Sequence, residues 1–188
     1  MNENLSNMSD SELYYCLKGD SKLKDNAFAE IYSRYSQRLF QYCRRLISNK
    51  QQAEDVFQET FIQLIQSAQK ERMMNNLQGF MLRIARNIYF KNKRDEHGKF
   101  VSLEDFDIGF DDNNVEKKEI SEILVSAMEL LPTDYRESLV LQVYNGLSYQ
   151  EIADVMDVPV TTIRNWIVRA KQKLRETLIP YFDNRVLN

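Results

Sequence analysis

Apolar residues return at steps of three and four through most of this chain, and that spacing restricts its fold more than any other feature. Phe28, Ile31, Tyr32, Tyr35, Leu39, Tyr42, Cys43 and Leu46 form one stripe. Ala53, Val56, Phe57, Thr60, Phe61, Leu64 and Ala68 form a second, and Leu77, Phe80, Met81, Ile84, Ala85 and Ile88 a third. Residues three and four apart share one face of an α-helix, whereas a half-buried strand needs a period of two. Each stripe therefore predicts an amphipathic helix. The breaks between them, Ser48-Asn49-Lys50 and Asn75-Asn76, supply N-cap residues. Only 5 Gly and 3 Pro punctuate 188 residues, which suits long helices better than a many-turned β fold. Three amphipathic helices joined by short loops must pack on one another to bury their stripes. They define a first domain over residues 25–100, led by an N-terminal segment, residues 1–24, with a short helix near residues 10–18.

Residues 101–118 lose the period. They hold scattered apolar side chains, Gly109 and a cluster of acids, and read as an extended linker. Helical spacing resumes at Ile120, Ile123, Leu124, Ala127, Met128 and Leu131, and Pro132 ends that helix. Another helix over residues 134–145 stops at Gly146, a natural residue just past a helix C-terminus. This second domain covers residues 119–188. The expected architecture is all-α: two small helical domains joined by an acidic linker, the C-terminal one carrying a helix-turn-helix.

The apolar fraction of 43 % is enough for real cores. No stretch approaches eighteen uncharged apolar residues, so no membrane insertion is expected. Residues 1–10 are polar, carry two acids and lack an apolar core, unlike a signal peptide. Cys16 and Cys43 have no metal-ligand spacing, which fits free thiols in a reducing cytoplasm. The net charge of −3 hides a segregation. Residues 72–100 carry seven basic side chains against two acids, residues 101–122 two against eight, and residues 160–188 six against two. Two basic blocks separated by an acidic one suit two nucleic-acid contacts.

Ser148-Tyr149-Gln150-Glu151 spells a capping box, in which Ser148 and Glu151 satisfy each other's backbone donors. A short helix to Met156 follows, then Asp157-Val158-Pro159, then a longer helix from about Val160. Asp157 falls where the turn needs a left-handed residue, a conformation Asp tolerates. Ile152, Met156, Val158, Ile163 and Ile167 are the inward positions, and Ala153 is small where two helices would cross. That is the pattern of a helix-turn-helix. The second helix turns Thr161, Thr162, Arg164, Asn165, Val168, Arg169 and Gln172 outward. Arg can bond guanine in a bidentate way, Asn can bond adenine, and the methyls of Thr and Val can meet thymine. Lys171, Lys173 and Arg175 suit phosphates. The plainer reading is a helical hairpin with a wet face; the capping box, turn, small crossing residue and basic face together favour DNA.

Residues 78–94, QGFMLRIARNIYFKNKR, join an apolar face to Arg83, Arg86, Asn87, Lys91, Asn92, Lys93 and Arg94, interleaved with Tyr89 and Phe90. Basic groups track a phosphate backbone while aromatic faces stack on unpaired bases, and the loop at residues 73–78 could help shape a pocket for a flipped base. Phe80 and Phe90 taken singly read as core. There is no Gly-rich phosphate loop, and His97 is the one histidine, set among charges. No enzyme site is therefore expected, nor a metal or other cofactor.

These residues resemble a known family. NAFAEIYSRY from Asn26, AEDVFQETF over residues 53–61 and FMLRIARNIYFKNKR over residues 80–94 resemble the N-terminal domain of bacterial extracytoplasmic-function sigma factors. GLSYQEIADVMDVPVTTIRNWIVRAKQKLR, residues 146–175, resembles their C-terminal domain. The resemblance implies a promoter-specificity subunit with core RNA polymerase and promoter DNA as partners, and it leaves room for an anti-sigma protein. It assigns Asp55, Gln58 and Glu59 to the polymerase clamp helices. Asn87, Lys91, Arg94 and the loop before Phe80 fall to the melted −10 element, and Arg83, Arg86 and Lys93 share that basic face. Arg164, Asn165, Val168 and Arg169 fall to the −35 duplex, with Thr161, Thr162, Lys171 and Lys173 beside them. Phe80 stands where the family often has Trp, Lys91 where many members have Asp, Thr161 for a frequent Gly and Trp166 for a frequent Arg. These departures bear on the promoter sequence rather than on the role. Two other readings compete: a stand-alone helix-turn-helix regulator, which leaves the first domain idle, and a protein-only helical adaptor, which wastes both basic blocks. No dimer helix is evident, so the free chain is expected to be a monomer.

Overall fold

A computed structural model describes residues 5–70, 75–95 and 115–186. The acidic stretch up to residue 114, His97, and the first part of the loop before Phe80 lie outside the described residues. No strand occurs among the described residues. Among the described residues, a short 3-10 turn at Leu5–Asn7 is followed by eight α-helices in chain order. They are α1 Asp10–Cys16, α2 Ser21–Leu46, α3 Lys50–Ala68, α4 Leu77–Asp95, α5 Val115–Glu129, α6 Thr133–Val143, α7 Tyr149–Met156 and α8 Val160–Val186.

Helix starts are dictated locally. Ser9 caps α1 through a reciprocal capping box with Glu12, Asp20 caps α2 by accepting from the Leu23 amide, and Asn49 caps α3 by accepting from the Gln52 amide. Each satisfies an amide that the first helical turn leaves orphaned. Asn76 does the same for α4, accepting from the Gly79 amide at 2.7 Å. α4 thus opens at Leu77, the first residue of the third stripe, so the loop drawn over residues 73–78 ends before Leu77. Likewise α5 begins at Val115, so residues 115–118, read from composition as linker, are helical. Charged side chains there carry no apolar period, and Glu and Lys are compatible with a helical backbone.

The α2, α3 and α4 stripes meet as the periodicity predicts. Ile31, Leu39, Cys43, Ala53, Leu64, Leu77, Met81, Leu82 and Ala85 are all at most 2 % exposed. α1 lies across α2 and α4, with Tyr14 buried and its hydroxyl 3.0 Å from Ser67 Oγ. Arg34 ties the N-terminal turn down by donating to the Leu5, Ser6 and Met8 carbonyls. Tyr32 departs from its stripe: at 44 % exposure it lies at the surface rather than in the core.

The second unit is built from α5 to α8, with α8 packed on α5, α6 and α7. The two units are also in contact. α4 packs on α7 and α2 on α6, and one buried cluster runs from the α2–α4 core into Val140, Leu141, Leu147, Ile152, Val155 and Met156.

Candidate nucleic-acid interface

The turn between α7 and α8 aims the α8 face. Ser148 accepts from the Glu151 amide, and Glu151 Oε2 accepts in return from the Ser148 amide at 2.8 Å. The Ser148 amide and hydroxyl, both donating to that carboxylate, favour the ionised form and hold the Glu151 carboxyl below the usual range. Asp157 ends α7 in the left-handed conformation, φ 57° and ψ 50°, with its amide bonded to the Ala153 carbonyl. Ala153 is buried, and Ile163, Ile167 and Ala170 are fully buried on the inner side of α8. Thr161, Arg164, Asn165, Val168, Arg169, Lys171 and Lys173 are exposed on the outer side, and Thr162 is half-buried. Trp166 is half-buried against the core edge, its ring 6.5 Å from Tyr135. Arg169 is not fully at liberty: one Nη1 donor reaches the Tyr135 hydroxyl at 3.3 Å. The outward residues thus form one cationic surface with an apolar spot at Val168, the composition a major-groove helix needs.

The α4 face is divided. Asn87, Lys91, Lys93 and Arg94 are exposed near its C-terminal end. Lys93 lies 5.7 Å over the Tyr89 ring, and Arg86 sits 4.7 Å over Phe90. Arg83 and Arg86 instead turn to the second unit. Arg83 donates to the Asp154 carbonyl of α7, and Arg86 Nε donates to Glu137 Oε1 of α6 at 3.0 Å. Phe80 is half-buried, edge-on to Tyr14 at 6.1 Å, in keeping with a core role.

Asp55 and Gln58 are exposed on α3, and Glu59 is half-buried, accepting from Gln63 at 3.0 Å. Beside them an aromatic cluster reaches the surface. Phe57 packs edge-on against Phe40 at 5.4 Å and Phe61 at 5.3 Å, with Tyr32 at 6.3 Å. Phe40 is 38 % exposed and Ile62 49 %.

Glu137 is the residue that the spacing argument misses. It is fully buried, receiving the Tyr42 hydroxyl at 2.8 Å as well as Arg86. Burial pushes its carboxyl above the usual range, outweighing the opposing pull of Arg86 and Tyr42. One signal could have marked it: Glu137 stands three and four residues before Val140 and Leu141, on the apolar side of α6.

Comparison with known proteins matches residues 31–98 to sigma-70 region 2 and residues 121–174 to sigma-70 region 4. The first match runs from within α2 through α4 and the second includes the helix-turn-helix, so fold and motif define a two-unit protein of the sigma-70 class. An extracytoplasmic-function sigma factor, SigE of Mycolicibacterium smegmatis, is 31 % identical over 79 % of this chain and 60 % of that protein's own length. The sigma-E factor of Haemophilus influenzae is 29 % identical over 87 % of this chain and 91 % of its own, and Bacillus subtilis SigM 29 % identical over 78 % and 91 %. The chain belongs to the extracytoplasmic-function group of the sigma-70 family, and with it to the DNA-binding factors of transcription initiation.

Two solved structures share the fold. CnrH, solved in complex with the cytosolic domain of CnrY, superposes with a TM-score of 0.69 at 22 % identity, covering 91 % of this chain and 97 % of that one. RpoE of Bartonella quintana, solved with the anti-sigma factor NepR, gives 0.67 at 23 % identity over 80 % and 96 %. No helix among the described residues is long and apolar enough to cross a membrane.

Proposed function

We propose that the chain binds core RNA polymerase and directs it to promoters, with α8 reading a −35 element as duplex and α4 engaging a melted −10 element. The observation that carries this reading is the pairing, in one chain, of two cationic helical faces on separate units that match sigma-70 regions 2 and 4 in that order. In α8, Thr161, Thr162, Arg164, Asn165, Val168 and Arg169 are the base-reading set, with Lys171 and Lys173 on phosphates. In α4, Asn87, Lys91, Lys93 and Arg94 meet the opened strand, joined by Arg83 and Arg86, with Tyr89 available for stacking. Asp55, Gln58 and Glu59, next to the exposed Phe40 and Ile62, form the polymerase-binding surface; an apolar patch rimmed by polar groups suits a protein partner.

The factor works as one chain in the cytoplasm, where polymerase and promoters are. An anti-sigma protein, the kind of partner held by the Bartonella factor, is a natural regulator of these surfaces. The test mixes the chain with core polymerase and a promoter library. A stable complex that starts transcription at defined sites is expected, with weak duplex binding by the free chain, because a single helix-turn-helix buries little surface. A stand-alone regulator would instead bind duplex tightly without polymerase.

A further inference from the structure

The outward residues of α8 differ in what holds them. Among the described residues, Arg169 is the base-reading candidate whose side chain bonds another helix: its Nη1 donates to the Tyr135 hydroxyl of α6 at 3.3 Å. Tyr135 is itself well anchored. It stands in the first turn of α6, and its carbonyl accepts from the hydroxyl of the buried Ser138 at 3.0 Å. Its half-buried ring packs against the small cluster of Leu131, Leu139 and Ala170, so it touches both α6 and the inner side of α8. The Trp166 ring lies 6.5 Å from it, tilted by 39°. Trp166 and Arg169 are three residues apart and so share one face of α8. Tyr135 meets both from across the helix crossing.

We infer that Tyr135 is a positioning residue for base reading: it holds the Arg169 guanidinium by Nη1, leaves the Nε and Nη2 edge free for guanine, and so sharpens the preference of α8 at one −35 position. The inference rests on the reading of α8 as the −35 helix; the bond between Tyr135 and Arg169 does not.

The physical case begins with entropy. A long cationic side chain on an open helix face samples many rotamers, and freezing them on contact subtracts from the affinity gained. A hydrogen bond that already orders the guanidinium in the free protein removes part of that loss. Donor geometry supplies the specificity. The bond engages Nη1, so Nε and Nη2, neighbours along another edge of the planar group, remain able to donate together to guanine N7 and O6. Other bases do not offer that pair of acceptors in the major groove. An untethered arginine facing a wrong base can swing to a nearby phosphate and recover part of its energy. Arg169, tied to a ring that two helices hold, recovers less. Discrimination therefore rises even though Tyr135 touches no base, which is specificity gained by limiting the alternatives. Arg164 and Asn165 are fully outward and lack this support from α6.

The experiment reads base preference, using the full chain with core polymerase on a promoter library randomised over the −35 element. Arg169→Ala locates the base: the parent should prefer guanine at one position of either strand, and the variant should lose that preference. Tyr135→Phe then removes the hydroxyl and keeps the ring. It is expected to lower the guanine preference at that same position several-fold, with the other positions and the far-ultraviolet circular dichroism unchanged. In the Arg169→Ala background it should add nothing, because the two changes act on one interaction. A folded Tyr135→Phe chain that keeps the full preference overturns the inference. So does an equal loss on every −35 sequence, which would make Tyr135 a phosphate contact. A parent that starts transcription without any −35 preference sinks the reading of α8 itself, and the inference with it. The bond is also read in the native chain, without polymerase, DNA or a variant. Nitrogen relaxation of the arginine Nε–H groups should show Arg169 more ordered than the exposed Arg164. Equal mobility of the two overturns the positioning role.

Discussion

Asp157 spends its place in the chain at φ 57°, where a Cβ is crowded by its own backbone and glycine is not. Its short side chain makes it the tolerable compromise for a turn that sets the angle between α7 and α8. Asp157→Gly should fall within about 1 kcal/mol of the parent, since backbone relief and the looser unfolded chain oppose each other. Asp157→Val should lose about 1–2 kcal/mol. Urea titration of both checks the pair, and equal stabilities would show that the turn is not held by this backbone angle. Cys43 presents a different kind of constraint. It is fully buried, and burial pushes its thiol up to about 12, so at pH 8 it is both shielded and protonated. Iodoacetamide should leave it unmodified in the native chain and alkylate it once the chain is unfolded, as peptide mass spectrometry would show. Arg169 belongs to the same scale. If it bonds a guanine edge, Arg169→Ala should cost about 1–3 kcal/mol at a single −35 position. A uniform loss on every promoter variant would make it a phosphate contact instead.

At the scale of the element, α7 shows how a helix of 8 residues is made to start and stop. So short a helix is marginal alone. Ser148 and Glu151 close its first turn, and Asp157 turns the chain at its end. Ser148→Ala should therefore cost about 1 kcal/mol in chemical denaturation. The pH dependence has a definite sign. The fold lowers the Glu151 carboxyl below its unfolded value, so its contribution is present above the unfolded pKa, about 4.3, and is lost as pH falls through the lower folded value. Glu151→Gln keeps a side chain that can complete the box but cannot ionise, so the acid limb of stability against pH should be shallower than in the parent. The same signature, Ser9 with Glu12, opens α1. Both boxes are legible as letters in the sequence because the bonds are local. The start of α5 at Val115 is not, because Glu116, Lys117 and Lys118 give no apolar period there yet are compatible with a helix.

Across the whole molecule, the surfaces proposed for polymerase and for DNA differ in chemistry. Asp55 and Gln58 point outward from α3 without a core role, next to an aromatic cluster that half emerges into solvent. Gln58→Ala with Glu59→Ala should weaken binding to core polymerase several-fold while leaving the melting temperature within a few degrees, since neither side chain is buried. A collapse of stability in that double variant would place those residues in the structural core. The helix-turn-helix site is complete within one unit, which is why its outward residues can be listed from spacing alone. The α4 site is shared between units. Arg83 and Arg86 have the same helical phase as a free DNA face, yet both end on partners more than fifty residues away in the chain.

The periodicity of apolar residues determined the helices, their inward faces, the capped turn and the cationic outer side of α8, because each follows from neighbours within a few positions. Tertiary structure alone decided that the two units touch, that Glu137 and Tyr42 meet across 95 residues of chain, and that Arg86 of the α4 cationic face is drawn to the same carboxylate. The physical reason is that burial and pairing of a polar side chain depend on which distant surface desolvates it. No local spacing encodes that choice.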